Sequence, residues 1–412
     1  VTRAFARLWT ASLFSEIAEW MLQIALPVYI YRATGSAGST ALAMAAGVLP
    51  MILLSPVAGY VADRWDRGRT LSLVCAGQAL TAVPLLLHDQ VWLIYAVMVA
   101  QSSAATMFEP ARTALIPQIV RGERIVSANG WMGFNSSGAR LIGSSAGGIL
   151  LATGGLTTVV ASYLGALVVA AALLVRRFHV DRTPVVREAV WRAWLDGLAE
   201  FRRERRLRLI GAMLVIGSVA QGMFLVLFVL FVTGPLGGDE ARVGLLRGVQ
   251  AVGGLVAGVV VGTSLLRRLA PATMAAFGGI GVGVLTLAIW NLPGLTTDWT
   301  VYFVLFAIVG VPSVLIMSGS LTVLQTACGP GKSGRVLAST MAMTAVCQTA
   351  GMLLAGPLAD AWNLTALLNL HGALMLASGL PLLAALWSRR RAERRPRATA
   401  SAATAARPSL DR

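Results

Sequence analysis

Gly59-Tyr60-Val61-Ala62-Asp63-Arg64-Trp65-Asp66-Arg67-Gly68-Arg69 places five charges between two apolar runs, one ending near residue 62 and the other starting near residue 70. Each flanking run is about as long as a helix needs to cross a ~30 Å hydrocarbon core. The charged turn between them belongs in water. Working outward, similar runs lie near 9–31, 40–62, 70–87, 91–109, 130–152 and 157–175. After a polar break at 176–208 they resume near 209–233, 242–266, 273–292, 299–319, 336–358 and 365–387. A helix satisfies its own backbone inside lipid. The predicted fold is therefore an all-α membrane protein with twelve transmembrane helices in two six-helix bundles. The expected division is residues 1–175, a cytoplasmic linker at 176–208, residues 209–388, and a disordered basic cytoplasmic tail at 389–412.

Hydrophobic residues make up 56% of the 412-residue chain and charged ones 13%, with a net charge of +16. In a soluble chain that charge would point to nucleic acid, but its placement decides otherwise. With the N-terminus taken as inside, thirty of the 34 Lys and Arg residues fall on cytoplasmic segments, leaving Arg32, Arg140, Arg242 and Arg247 elsewhere. That is the positive-inside pattern, and it predicts a multi-pass protein of the cytoplasmic membrane with both termini cytoplasmic. Cys75, Cys328 and Cys347 show no paired spacing, so neither a disulfide framework nor a metal site is expected. Glu16 and Glu19 in the first run argue against a removable signal peptide. Gly329-Pro330-Gly331-Lys332-Ser333 lacks the first glycine of a nucleotide-binding loop. No cofactor, enzymatic activity or nucleic-acid partner is expected.

The halves carry a faint repeat: Trp92, Tyr95 and Gln118 recur as Trp299, Tyr302 and Gln325, each displaced by the same interval. This suits a pseudo-symmetric transporter. In the linker, Val190, Trp194, Leu198 and Phe201 have helical spacing among arginines, as in a helix lying on the membrane surface.

The charged turn quoted above resembles the signature loop of the major facilitator superfamily. The resemblance implies that Gly59, Asp63, Arg64 and Arg67 act as a conformational switch. Physically, a carboxylate there can pair with Arg67 and face the positive N-terminus of a neighbouring helix. The matching place in the second half, Arg267-Arg268, has no acid, so the latch is expected on one side only. Gly130, Gly143, Ser144, Gly147 and Gly148 resemble the glycine-rich antiporter motif, with Ala139 and Ser144 replacing a glycine and its proline. Gly254, Gly258 and Gly262 give the eighth helix the same capacity for close approach. Ser15 to Glu19, Ala111-Arg112-Thr113-Ala114-Leu115-Ile116-Pro117, Ala128-Asn129 and Ala139-Arg140-Leu141-Ile142-Gly143 are similar to the twelve-helix drug:proton antiporter branch that holds macrolide efflux proteins and the enterobactin exporter. Ala18-Glu19 stands where that branch commonly has Gly-Asp, and Glu16 is an additional acid.

Glu16 and Glu19 lie roughly 14 and 18 Å beyond Arg7 along a helix, near mid-bilayer and on one face. A low-dielectric setting and a like-charged neighbour both disfavour an ionised carboxylate. The pair is thus a candidate proton-coupling site, with Arg140 as a candidate partner of Glu19. Gln221 occupies the place in the second half that mirrors Glu19. The fold implied by the resemblance puts Trp20, Met21, Gln101, Met107, Gln221, Phe224 and Gln325 around a largely apolar substrate cavity. His371 in the last run reads as a hydrogen-bonded structural residue, with proton transfer as the alternative.

The expected function is a monomeric secondary transporter that exports amphiphilic small molecules of drug or macrolide type by proton antiport and alternating access. The alternatives are a dedicated exporter of a siderophore or other natural product, and a proton symporter or lipid flippase on the same fold.

Overall fold

A computed structural model describes residues 3–54, 66–120, 124–175, 198–263, 269–327 and 333–394. Gly59, Asp63 and Arg64, most of the linker (176–197) and the tail from residue 395 lie outside those residues. The described part is helical almost throughout. Ten of its helices are long and apolar enough to cross a membrane. One of them, Arg124–Val175, is two helices separated at Gly155, and Glu240–Thr263 adds another of membrane-crossing length, so the described residues hold twelve spans.

In chain order these are α1 (Arg3–Thr34), α2 (Ala37–Leu54), α3 (Arg67–Ala82), α4 (Val91–Ile119), α5 (124–154), α6 (156–175), α7 (Arg205–Thr233), α8 (Glu240–Thr263), α9 (Pro271–Asn291), α10 (Trp299–Thr326), α11 (Ser333–Ala361) and α12 (Leu364–Arg394). Their number follows the apolar runs, but several extend into polar flanks. α4 continues to residue 119 through Pro110, because neighbouring helices can satisfy the backbone groups that a proline frees.

The ends are set by local chemistry. Gly35, Gly155 and Gly237 adopt positive φ of 66°, 69° and 58° at the α1–α2, α5–α6 and α7–α8 turns, a conformation that costs glycine little. Asp66, Asp298 and Asn363 accept hydrogen bonds from the Arg69, Thr300 and Thr365 amides and so cap α3, α10 and α12.

The packing repeats with a step of six helices. In the first half α1 packs on α5, α3 on α4 and α6, and α2 on α4; in the second α7 packs on α11, α9 on α10 and α12, and α8 on α10. Trp92 and Trp299 lie in the first turn of the corresponding helices α4 and α10. The halves meet along α5 with α8 and α2 with α11. Large apolar side chains face outward, Leu53 and Leu80 being 73% and 72% exposed, as lipid contact requires and water would penalise. From the linker, Phe201 is buried against Leu207, Ile210 and Met213. The expectation of a membrane-surface helix is corrected for this residue: its ring fills a gap beside Gly211 rather than facing lipid.

Candidate functional site

The two acids of α1 have different surroundings. Glu16 forms an ion pair with Arg112 of α4, which also holds Glu109 at 2.6 Å. Arg112 is buried, although its sequence position suggested the cytoplasmic flank. The extension of α4 past Pro110 carries its guanidinium into the packed interior, where a charge needs a partner. Glu19, one turn further along, makes no hydrogen bond or ion pair with any described residue. Its side chain is exposed to an open cavity.

That cavity lies inside the first six helices. Leu22, Gln23 and Leu26 of α1 line it, with Gly47 of α2, Gln78 of α3, Met98, Gln101, Ser102 and Ala105 of α4, and Tyr163 of α6. Gln101 ties the wall together. Its amide nitrogen donates to the Gln78 carbonyl at 2.6 Å and to the Thr81 hydroxyl at 3.0 Å, and its oxygen accepts from the Tyr163 hydroxyl. Gln23, Gln78 and Tyr163 were not singled out from sequence. Gln23 lies four residues from Glu19, a spacing that puts both on one face.

Of the other expected cavity residues, Trp20 and Met21 turn toward α5, because successive helical residues point about 100° apart. Met107 is half-buried against the core. Phe224 is buried in an aromatic cluster with Phe228, Trp290 and His371. Gln221 is half-buried on α7, and Gln325 is exposed at the end of α10. Only Gln101 of the seven lines this cavity. In the aromatic cluster, His371 Nδ1 accepts from the Trp290 indole N–H at 3.1 Å, the structural arrangement read for it from sequence.

Arg140 does not meet Glu19. Its guanidinium lies 5.3 Å from the Trp20 ring centroid and donates to Gln250 of α8 at 2.7 Å. The expected Glu19–Arg140 pair fails because Arg140 leaves α5 on the side facing α8, with Trp20 intervening.

The glycine motif divides as well. A side chain at Gly143 would meet Ile17 and Trp20, one at Gly147 would meet Met21, and one at Gly148 would meet backbone at Glu240 and Gly244, whereas Gly130 faces open space. On α8 the residues approaching α5 are Gly244 and Gly248; Gly254 instead faces α10. The close approach expected of Gly254 is found against α10 rather than α5: a side chain at Gly310 would meet the Gly254 backbone nitrogen, because Gly254 lies ten residues beyond Gly244, where α8 presents another side. Arg67 is half-buried at the start of α3.

At the end opposite the termini, Asp360 in the last turn of α11 accepts from the Ala37 and Gly38 amides, each at 2.9 Å, and from the Ser36 hydroxyl at 3.2 Å. The carboxylate thus sits at the positive N-terminus of α2. This is the contact expected of Asp63, found with another acid at the other end. Arg32 of α1 and Glu240 of α8 form an ion pair, a second polar contact between the halves there.

Known proteins give this geometry a context. Macrolide efflux protein A of Streptococcus pyogenes is 25% identical over 387 residues, covering 90% of this chain and 93% of its own. Multidrug efflux pump Tap of Mycobacterium tuberculosis is 28% identical over 398 residues, covering 90% and 89%. The crystal structure of a point mutant of the nucleoside transporter NupG superimposes with a TM-score of 0.75 at 13% identity, covering 93% of this chain and 99% of that one. The Major Facilitator Superfamily profile matches residues 8–347. Twelve spans repeated with a step of six, joined through α5 with α8 and α2 with α11, carry that match across both halves, and the chain is a membrane transporter belonging to the major facilitator superfamily.

Proposed function

We propose that this transporter exports amphiphilic small molecules in exchange for protons, with Glu19 as the coupling carboxylate. The observation that carries this reading is the contrast on α1: Arg112 neutralises Glu16, while Glu19 faces the cavity with no ion-pair partner among the described residues. An acid held within the membrane without a fixed counter-charge is suited to alternate between protonated and ionised forms. The efflux proteins among the relatives support export as the direction. The protein works as a monomer in the cytoplasmic membrane with both termini inside, and residues 1–175 rock against 209–388 about the midplane. Asp63, with Gly59, Arg64 and Arg67, acts as the switch at the cytoplasmic end, and Asp360 holds the extracellular end closed.

The test is accumulation of fluorescent dyes and macrolides in efflux-deficient cells expressing wild type or Glu19→Gln. Wild type should lower accumulation, and a protonophore should abolish the difference. Glu19→Gln should behave like the empty vector while reaching the membrane at wild-type levels. Undiminished, protonophore-sensitive export by Glu19→Gln would remove Glu19 from the coupling role.

A further inference from the structure

Arg140 and Arg247 converge on one acceptor between the halves. Gln250 Oε1 receives Arg140 Nη2 at 2.7 Å and Arg247 Nη1 at 3.0 Å. Arg247 is 7% exposed, and its guanidinium lies 5.1 Å from the centroid of the Phe224 ring. Arg140 stacks over Trp20, and its Nε is buried with no hydrogen-bond partner. No carboxylate among the described residues pairs with either arginine: Glu240 is taken by Arg32, Glu16 and Glu109 by Arg112, and Glu19 faces the cavity of the first half.

Two like charges inside a membrane protein, answered by one neutral amide oxygen, are strongly disfavoured without an anion. Guanidinium groups are planar forks whose paired N–H groups match the oxygens of a carboxylate or a phosphate. Both arginines lie between α5 and α8, along the seam where the halves join. Arg247 is seven residues inside α8 from Glu240, roughly 10 Å deep. The Trp20 and Phe224 rings flank the pair and provide apolar surface for the rest of an amphiphile.

We propose that Arg140 and Arg247 form an anion-binding site at the seam between the halves, which takes the carboxylate or phosphate group of an amphiphilic substrate. The inference rests on the export reading and narrows its substrate class. Gln250 holds the two guanidiniums in register in the free protein and releases Nη groups to the ligand. The oxyanion belongs either to a small amphiphile or to a lipid headgroup, and the two sources are separable.

The experiment measures equilibrium binding to the full chain in phosphatidylcholine nanodiscs, reading wild type against variant so that partition into lipid cancels. The probes are N-lauroylglycine, 1-lauroyl-lysophosphatidylglycerol and the uncharged N-lauroylglycinamide. At least one anionic probe should bind, the amide should not, and Arg140→Gln or Arg247→Gln should each weaken binding about tenfold or more, as loss of a charge-assisted hydrogen bond implies. Binding of N-lauroylglycine assigns the site to small amphiphiles, and binding of the lysolipid alone assigns it to headgroups. Gln250→Glu guards against misfolding as an explanation: an internal carboxylate between the arginines should raise the unfolding temperature and abolish anion binding. Equal binding of the amide, indifference to both arginine variants, or unchanged binding in Gln250→Glu overturns the proposal. Binding is read without flux, so a protein that binds the anion but never exports dye refutes export and leaves the site standing. Proton-driven dye export with no anion binding does the reverse.

Discussion

Glu16 and Glu19 show how far three residues of spacing can separate two identical side chains. Both are on one face of α1, yet α4 offers a guanidinium to the first and an open wall to the second. Removing Arg112 leaves Glu16 in packed surroundings without its counter-charge, so Arg112→Ala should destabilise the protein by roughly 3 kcal/mol. Glu19→Gln breaks no ion pair and should stay within about 0.5 kcal/mol of wild type. Thermal unfolding of the purified protein followed by size-exclusion chromatography compares the two. A large loss in Glu19→Gln would mean that its charge has a structural role. Depth and sign of these charges are legible in the sequence, since a helix advances by a fixed rise. Partner choice is not, because it depends on how α1 and α4 rotate against each other. Hence sequence position alone puts Arg112 on the flank and Arg140 beside Glu19, whereas in the structure Arg140 turns to Gln250.

At the scale of elements, the α5–α8 contact is built from backbone against backbone. Gly148 and Gly244 approach so closely that a Cβ on either meets the other's main chain. An isobutyl or isopropyl group cannot be accommodated by a rotamer change, and the helices must separate. Overpacking of this kind costs about 1–3 kcal/mol, and it falls on the seam where the halves meet. Gly148→Val should therefore abolish export at normal membrane levels or reduce those levels, whereas Gly130→Ala, facing open space, should retain both. Dye accumulation and immunoblots of membranes decide, and wild-type export by Gly148→Val would show that the seam tolerates separation. The spacing of Gly143, Gly147 and Gly148 reveals a close-packed helix face in advance. It does not reveal that Gly130 lies off that face, or that α8 answers with Gly244 and Gly248, because glycine spacing encodes proximity but not the identity of the neighbour.

For the whole molecule, closure at the end opposite the termini depends on groups far apart in sequence. Twelve spans and two sets of six are legible because lipid imposes one length on every helix, and the repeat at Trp92 and Trp299 marks equivalent starts. The contact between Asp360 and residues 36–38 leaves no such trace. Any acid in a polar turn would look the same, and the only acid expected to cap a neighbouring helix is Asp63, at the other end. In the structure Asp360 receives two amides and a hydroxyl at the start of α2, and below it Gly356 packs on Ala41. These bonds form only while α2 and α11 are together, so their loss biases the conformational equilibrium toward separation there. With a net effect of about 1.4 kcal/mol, Asp360→Ala should raise the population open at that end about tenfold. A cysteine at Ala41, buried beneath α11 in this conformation, reports the change in a background lacking Cys75, Cys328 and Cys347. Its rate of labelling by a membrane-impermeant maleimide added outside intact cells should rise about tenfold with Asp360→Ala. Asp360→Asn should lie between, because its single amide oxygen can keep the Ala37 bond or those of Gly38 and Ser36 but not both, and it lacks the charge that favours the N-terminus of α2. Equal rates in all three backgrounds would mean that Asp360 caps α2 without holding the halves together, and closure would then rest on the Arg32–Glu240 pair and the α2–α11 packing.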